Sequence, residues 1–431
     1  MSLNRVVVVG LGKIGLPLAV QFASRGLNVI GVDVSLEVIQ QTNSGVAHFE
    51  ETGMETLLKD AVKSGQLSST LDLRKAVSAA NFIVVVVPLY VDPEGESDFT
   101  NIDHAMAEIG ESMCRNATLI IETTLPIGTT RNRFAPILEK VSGLIAGEDF
   151  FLAFSPERVS SGSVLSDFRR YPKLVGGINS ESTARAAKLY EFGFEFDMRT
   201  DLARSNGVWS MDSSEAAEFA KLAETTFRDV NIALANTFAG HAEELGVSYS
   251  GIRDACNSQP FSMLHSPGIS VGGHCIPVYP HMYLQSDRSA DLVELARNIN
   301  KETPLRLIGL VGETIGGFQG KNILISGLSY RTGVKEAAFS GAIDLYQALL
   351  DLGAKSHLVD ELFDDKELLA MGFRPSGEGK FDALFINSGS HSFQVSLLEK
   401  LAPEAVVMDG RSTLNAVDWE NLLQIGEGLR P

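Results

Sequence analysis

Cys275 lies in the run Ser270-Val271-Gly272-Gly273-His274-Cys275-Ile276-Pro277-Val278-Tyr279-Pro280. A thiol that follows two glycines, adjoins a histidine and abuts a proline-stiffened turn has the setting of a nucleophile that a substrate must approach closely. Taken alone, the same residue also reads as a small buried cysteine. A second run, near the N-terminus, gives the thiol a task. In Val6-Val7-Val8-Val9-Gly10-Leu11-Gly12-Lys13-Ile14-Gly15, four β-branched residues make a buried parallel strand and Gly10 permits a tight turn. Gly12 lets the backbone approach a pyrophosphate, and Gly15 allows close helix packing. Leu16 to Ala23 continues as a helix whose N-terminus faces the phosphates. A second strand, Asn28 to Val32, ends at Asp33, where a carboxylate binds the adenosine ribose 2′-hydroxyl and repels a 2′-phosphate. NAD is therefore the expected cofactor, in preference to NADP. With hydride removal at one end of the chain and a thiol at the other, an aldehyde can be trapped as a thiohemiacetal and oxidised again.

These residues need a frame. Strand-like runs recur at Phe82 to Val87, Leu119 to Glu122 and Phe150 to Phe154, with helical patterns between them. That alternation is the signature of a doubly wound sheet. From Asp212, a candidate cap with Glu215 three residues on, the residues Ala216, Phe219, Ala223, Phe227, Val230 and Leu234 repeat at helical spacing up to a break at Gly246. So long a helix reads either as a spine between domains and a dimer interface or as an ordinary core helix. A second βα series begins at Asn322 and continues through Ser356 to Val359, Ala383 to Asn387 and Val406 to Met408, after a glycine-rich linker at Gly316 to Gly320. The expected fold is α/β: two Rossmann-like, doubly wound parallel-sheet domains joined by a long central helix and a helical middle region. The expected boundaries are 1–200 for the NAD-binding domain, 201–315 for the central dimerisation region with the cysteine, and 316–431 for a second nucleotide-binding domain. Ligands are expected at the carboxyl ends of the strands.

Composition narrows the partners. The 431 residues carry a formal charge of −18, with 44% hydrophobic and 21% charged residues. That balance argues against nucleic acid or an anionic membrane surface as partner. No apolar run is long enough to span a bilayer, and the N-terminus enters a strand almost at once. Cys114, Cys256 and Cys275 have neither metal-ligand nor disulfide spacing, so no metal is expected and a reducing cytoplasm fits.

The motifs in order resemble the nucleotide-sugar 6-dehydrogenases, the UDP-glucose, GDP-mannose and UDP-N-acetylhexosamine group, across essentially the whole chain. The markers are the Gly10 loop, Glu122-Thr123-Thr124-Leu125-Pro126-Ile127-Gly128-Thr129-Thr130, Phe154-Ser155-Pro156-Glu157-Arg158-Val159, Lys173-Leu174-Val175-Gly176-Gly177, Glu218-Phe219-Ala220-Lys221-Leu222-Ala223-Glu224 and the Cys275 run. The Pro-Glu-Arg and Gly-Gly-His-Cys-Ile-Pro forms are similar to the N-acetylhexosamine branch. The resemblance implies NAD-dependent oxidation of C6 of a nucleotide-linked sugar, a UDP-N-acetylhexosamine first among them with the base (UDP, TDP or GDP) left open, to a uronic acid, with Cys275 as nucleophile and Lys221 as the cation that stabilises oxyanions. It also implies water-holding and proton-transfer roles for Thr124 and Glu157, although a strand-end hydroxyl is a competing reading of Thr124. Thr225 stands where the family has an oxyanion-donating asparagine. Lys13, Ile14, Pro88 and Thr124 join Gly10, Gly12, Gly15 and Asp33 in the implied cofactor set. Glu157, Arg158, Val159, Lys221, Phe261, Gly272, Gly273 and Arg331 form the implied substrate set. A homodimer or higher homo-oligomer is implied as well.

The chain departs from the family at positions close to the chemistry. Tyr279 replaces an aspartate that helps activate the hydrolytic water, and Phe261 stands in place of an arginine that reaches the sugar of a neighbouring subunit. Lys335, Glu336 and Ala338 replace an acidic pair and arginine. Two alternatives to full oxidation follow: a single oxidation that stops at the aldehyde or releases its thioester slowly, and a nucleotide-sugar-binding protein without turnover. Retention of both Cys275 and Lys221 speaks against the second. A simple hydroxy-acid dehydrogenase is disfavoured by the second α/β domain.

Overall fold

The computed structural model of the chain describes residues 5–92, 95–414 and 417–427. It falls into two compact units, Met1–Ala223 with His281–Ser286, and Glu224–Pro280 with Asp287–Pro431.

In the first unit the strands of the main sheet are β1 (Arg5–Val9), β2 (Asn28–Val32), β3 (Leu67–Thr70), β4 (Phe82–Val85), β5 (Thr118–Ile121), β6 (Phe151–Phe154), β7 (Lys173–Gly177) and β8 (Val208–Ser210). Among the described residues they form one sheet in the order β8-β7-β6-β5-β4-β1-β2-β3. From β3 to β6 every pairing is parallel. The chain winds from β1 toward β3, then crosses to the other side with β4, so the topological switch point lies between β1 and β4. The Val6–Val9 run is buried on both faces: Val6 and Val8 join one core, Val7 and Val9 the other. Helices on both sides of a parallel sheet produce this pattern, which explains a continuous β-branched strand without polar alternation. Helix α1 (Gly15–Ser24) is sunk into the first of these cores through Leu16, Leu18, Ala19 and Phe22.

The expected all-parallel sheet holds only to β6. Strand β7 runs antiparallel to β6, paired through Ala153–Gly177 and Phe154–Gly176, and β8 follows β7 in parallel. The two glycines ending β7 are required by neighbouring helices. A Cβ on Gly176 would lie 2.0 Å from Ser213 O, and one on Gly177 would lie 2.4 Å from Thr183 N, at the start of helix α2 (Ser180–Gly193).

Helix α3 (Ser214–Leu245) realises the long periodic segment, and the division between units falls within it. Its cap is Ser213, whose hydroxyl accepts from Ala216 N at 3.2 Å, rather than Asp212; Glu215 pairs instead with Arg131. Gly246, at φ +68, ends it, and Val247 N returns to Ala242 O. In the second unit, helices α4 (Tyr279–Ser286, of which residues 281–286 count with the first unit) and α5 (Asp291–Ile315) precede the second sheet. Gly316–Gly320 forms the C-terminal turn of α5 inside this unit: Gly316 is left-handed, and Phe318 is buried.

The second sheet contains β9 (Asn322–Ser326), β10 (Lys355–Val359), β11 (Phe381–Ile386), β12 (Leu401–Asp409) and β13 (Leu422–Gln424). All are parallel, in the order β10-β9-β11-β12-β13. Ile323 and Ile325 face one core of this sheet and Leu324 the other. Among the described residues no helix is long and apolar enough to cross a membrane.

Candidate active site

In the first unit the expected residues gather at the carboxyl ends of the parallel strands. Gly10 follows β1 and Asp33 follows β2; Pro88, Thr124 and Glu157 stand three residues beyond the ends of β4, β5 and β6. Gly10 has φ +93, and a Cβ there would lie 2.7 Å from Val86 O. One on Gly15 would lie 1.8 Å from Gly10 O, so two of the glycines serve the turn itself. Gly12 differs: a Cβ there would meet nothing within 4 Å, leaving its backbone face clear for a ligand. Helix α1 begins without a side-chain cap and without an acid in its first turn, as an anion site requires. The Asp33 carboxylate is fixed by Leu11 N at 2.8 Å and Ser35 N at 2.9 Å, one bond to each oxygen, and each oxygen keeps a lone pair for a hydroxyl. Lys13 is exposed and Ile14 half-buried at the turn. Together these residues fit a dinucleotide.

Beside this turn, Thr123 donates its hydroxyl to Val87 O at 2.6 Å, while Thr124 is buried at 7% exposure. Lys221, 3% exposed on α3, donates to the backbone carbonyl of Glu157. The Glu157 carboxylate accepts from Val159 N. Burial pushes the Glu157 carboxyl up, with the Lys221 ammonium pulling the other way. Arg158 reaches Pro172 O at 3.2 Å.

Four side chains to which the sequence assigns no role, Glu218, Lys173, Glu122 and Tyr190, hold these loops. Glu218, one turn before Lys221 on α3, accepts from Gly128 N at 2.5 Å and Thr130 N at 2.9 Å, fixing the turn that follows Thr124. Burial raises its carboxyl to about 7. Beneath Pro156 and Glu157, Lys173 pairs with Glu122 at 2.5 Å, both buried, and also reaches Pro156 O at 3.4 Å. Tyr190 donates to the same Glu122, and burial, followed by the carboxylate, holds its phenol well above 10. The signal for Glu218 was its i, i+3 spacing to Lys221; the Glu122–Lys173–Tyr190 contacts have no signal of that kind.

The second unit carries Thr225, Phe261, Gly272, Gly273, Cys275 and Arg331. Cys275 is half-buried and in no disulfide, and its carbonyl accepts from Tyr279 N at 2.9 Å at the start of α4. The side of Gly272 that a Cβ would occupy is filled by Tyr330 Cβ at 2.8 Å and Phe339 O at 2.9 Å; that of Gly273, at φ +91, faces the Tyr330 ring at 3.0 Å. The glycines therefore admit the chain's own packing. Phe339 itself adopts φ +50, a strained conformation for a bulky residue, and its ring meets His274 edge-on. His274 faces Glu336 at 3.6 Å. The loop's other end is tied to the second sheet: Ile269 N to Gly410 O at 3.0 Å, and Ser270 Oγ to Asn387 Oδ1 at 2.7 Å. Arg411 donates to Ser270 O at 3.0 Å, and burial lowers its guanidinium to about 10. Thr225 is fully buried, whereas Phe261 is 94% exposed and Arg331 also lies on the surface.

A strand-to-helix turn cleared at Gly12, with a fixed acid after the next strand, defines an NAD-dependent oxidoreductase. The chain belongs to the UDP-glucose/GDP-mannose dehydrogenase family: residues 4–193 match its NAD binding domain and residues 215–302 its central domain. It is 36% identical over 352 residues to a UDP-N-acetyl-D-mannosamine dehydrogenase of Pyrococcus horikoshii, covering 80% of each chain. It is 30% identical to another protein of that name from Methanococcus aeolicus, covering 99% of this chain and 96% of the relative. A solved structure of UDP-D-ManNAc dehydrogenase from Pyrococcus horikoshii superposes with a TM-score of 0.87 at 30% identity, covering 98% of this chain and 99% of that one. A UDP-glucose dehydrogenase from Pyrobaculum islandicum, 22% identical, shares the fold with a TM-score of 0.85 over 99% of this chain and 98% of its own.

Proposed function

We propose that the chain oxidises C6 of a UDP-N-acetylhexosamine, UDP-N-acetyl-D-mannosamine first among them, to the uronic acid through an adduct on Cys275. The observation that carries this reading is the Gly-Gly-His-Cys run, retained with Lys221 in a chain whose relatives bear the name UDP-N-acetyl-D-mannosamine dehydrogenase. NAD supplies the hydride acceptor for each oxidation, and Gly10, Gly12, Lys13, Ile14, Gly15, Asp33, Pro88 and Thr124 hold it. Lys221, a buried ammonium, stabilises the alkoxide left when a water held by Thr124 and Glu157 takes the alcohol's proton, and later the oxyanion on the adduct, with Thr225 as a further donor. The Cys275 thiolate adds to the aldehyde carbon, forming a C–S bond and, once the oxygen takes a proton, a thiohemiacetal. The second oxidation leaves a thioester, whose C–S bond breaks when water attacks the acyl carbon. The Glu157 carboxylate, raised by burial, accepts the proton of that water. Arg158, Val159, Phe261, Gly272, Gly273 and Arg331 complete the substrate contacts, and residues 316–431 take the uridine diphosphate.

Tyr279 supports a second reading of the last step, because a phenol is a poor base at neutral pH. In that reading the thioester on Cys275 accumulates during turnover. NADH counted on a panel of nucleotide sugars, with intact-protein mass spectrometry, tests both. Two NADH and one uronic acid per UDP-N-acetylhexosamine are expected, and Cys275→Ser should bind the sugar yet form no uronic acid. Uronic acid from Cys275→Ser at the parent rate would overturn the proposal; a persistent mass increment on Cys275 selects slow release.

A further inference from the structure

The loop that carries Cys275 is gripped from behind by a buried polar chain from two helices. At one end, Gly268 N donates to Asn236 Oδ1 at 2.9 Å. Asn236 Nδ2 donates to Asn300 Oδ1 at 3.0 Å, and Asn300 Nδ2 donates to Asp229 Oδ1 at 2.8 Å and to Asp229 O at 3.0 Å. Asp229 is ion-paired with Arg297 at 2.8 Å. At the far end, Arg297 donates to Pro277 O at 2.9 Å. Asp229 is fully buried, Asn300 is 3% and Asn236 4% exposed, and the Arg297 side chain 11%.

The spacing makes the arrangement possible. Asp229 and Asn236 are two turns apart on one face of α3, and Arg297 and Asn300 are one turn apart on α5. Each asparagine spends its amide donor and its carbonyl acceptor within the chain, so no member can turn without leaving a neighbour unpaired. A buried ion pair and two buried amides are an expensive way to join two helices that apolar side chains would hold as well. What they supply in addition is direction: both ends terminate on backbone atoms that bracket the loop, at Gly268 and at Pro277, two residues beyond Cys275.

We propose that Asp229, Asn236, Arg297 and Asn300 are positioning residues that fix the Cys275 loop for reaction, a role that rests on the reading of Cys275 as the nucleophile. The test uses the full chain and three readouts: the rate of Cys275 alkylation by iodoacetamide without cofactor or sugar, followed by peptide mass spectrometry; kcat and KM; and Tm. Arg297→Met and Asn236→Ala should speed alkylation by about fivefold or more, as the loop opens locally. The same variants should lower kcat by about tenfold or more with KM for NAD unchanged. Arg297→Lys should fall between them and the parent, because one ammonium reaches either Asp229 or Pro277 but lacks the fork for both. Leu349→Ala, which empties space in the apolar core of the same unit, should lower Tm and leave alkylation and kcat as they were. Parent-like alkylation and kcat in Asn236→Ala and Arg297→Lys would overturn the proposal, as would the same alkylation change in Leu349→Ala. If Arg297→Met does not fold, Asn236→Ala and Arg297→Lys carry the decision. Should Cys275→Ser still make uronic acid, the nucleophile reading falls, while the alkylation rates still report whether this chain of residues sets the loop.

Discussion

Lys221 and Asp33 show how far a side chain's orientation is set by what it already touches. Lys221 is buried and bonded to the Glu157 carbonyl, so its ammonium is oriented before any substrate arrives. Replacing it with methionine keeps the bulk and removes the charge; kcat should fall by about 10²- to 10³-fold with little change in KM. A loss confined to KM would make Lys221 a binding residue only. Asp33 has each carboxylate oxygen committed to one backbone amide, so Asp33→Asn can satisfy only one of the two and no longer repels a 2′-phosphate. The ratio of kcat/KM for NAD over NADP should fall by about tenfold or more, equivalent to ~1.4 kcal/mol. An unchanged ratio would place cofactor discrimination elsewhere.

At the scale of elements, α3 does more than span: through Glu218 it pins the turn after β5, and through Lys221 the segment after β6. Two loops that share no sequence proximity are thus tied to one turn of α3. The Glu218 carboxyl is raised from 4.5 to about 7 because its burial outweighs two backbone donors. The folded chain therefore holds this proton more tightly than the unfolded chain does. The contribution to stability is complete below about pH 4.5 and is lost as pH rises to about 7, by ~3 kcal/mol at most. Chemical denaturation between pH 4.5 and 8 should show that decline, and Glu218→Gln, which cannot ionise, should flatten it. A decline of the same size in Glu218→Gln would assign the effect to another group.

For the whole molecule, the exposed side chains of α3 bear on assembly. Phe219, Phe227, Leu234 and Phe238 are 46%, 53%, 39% and 42% exposed, although their neighbours Ala217, Leu222, Ala233 and Ala235 are buried. Their spacing places the four on one face, where Phe219 stacks on Tyr283 and Phe227 meets His265 edge-on, and each side chain still stays partly open to solvent. We propose that this partly open stripe meets a second copy of the chain. Light scattering at micromolar concentration should give at least twice 46.5 kDa. Phe227→Asp with Phe238→Asp should shift the mass toward the monomer while the far-UV spectrum is retained. A monomeric parent would contradict the reading.

The local features were legible because each is encoded within a short window. Four consecutive valines, three spaced glycines and a terminal acid specify strand, turn, helix and strand without reference to the rest of the chain, and β1, α1, β2 and Asp33 stand where that logic puts them. The end of α3 at Gly246 was likewise local, since a left-handed residue stops a helix by its own backbone preference. Its start was not: the sequence points to Asp212 as the cap, and only the path of the entering chain selects Ser213. The reversal of β7 and β8 could not be read, because hydrophobic patterning carries no strand direction. Gly272 and Gly273 were visible, yet the reason for them was not: Tyr330 lies 57 positions after Gly273 and meets it only in the folded unit. The same holds for Asn236 with Asn300, 64 positions apart, and Asn300 with Asp229, 71 apart. Sequence periodicity fixes which face of a helix such a residue occupies, but its partner is chosen by the packing of helices whose crossing no window contains. The sequence therefore determined the cofactor turn, the thiol and the order of elements; the tertiary structure alone decided which buried polar groups hold them still.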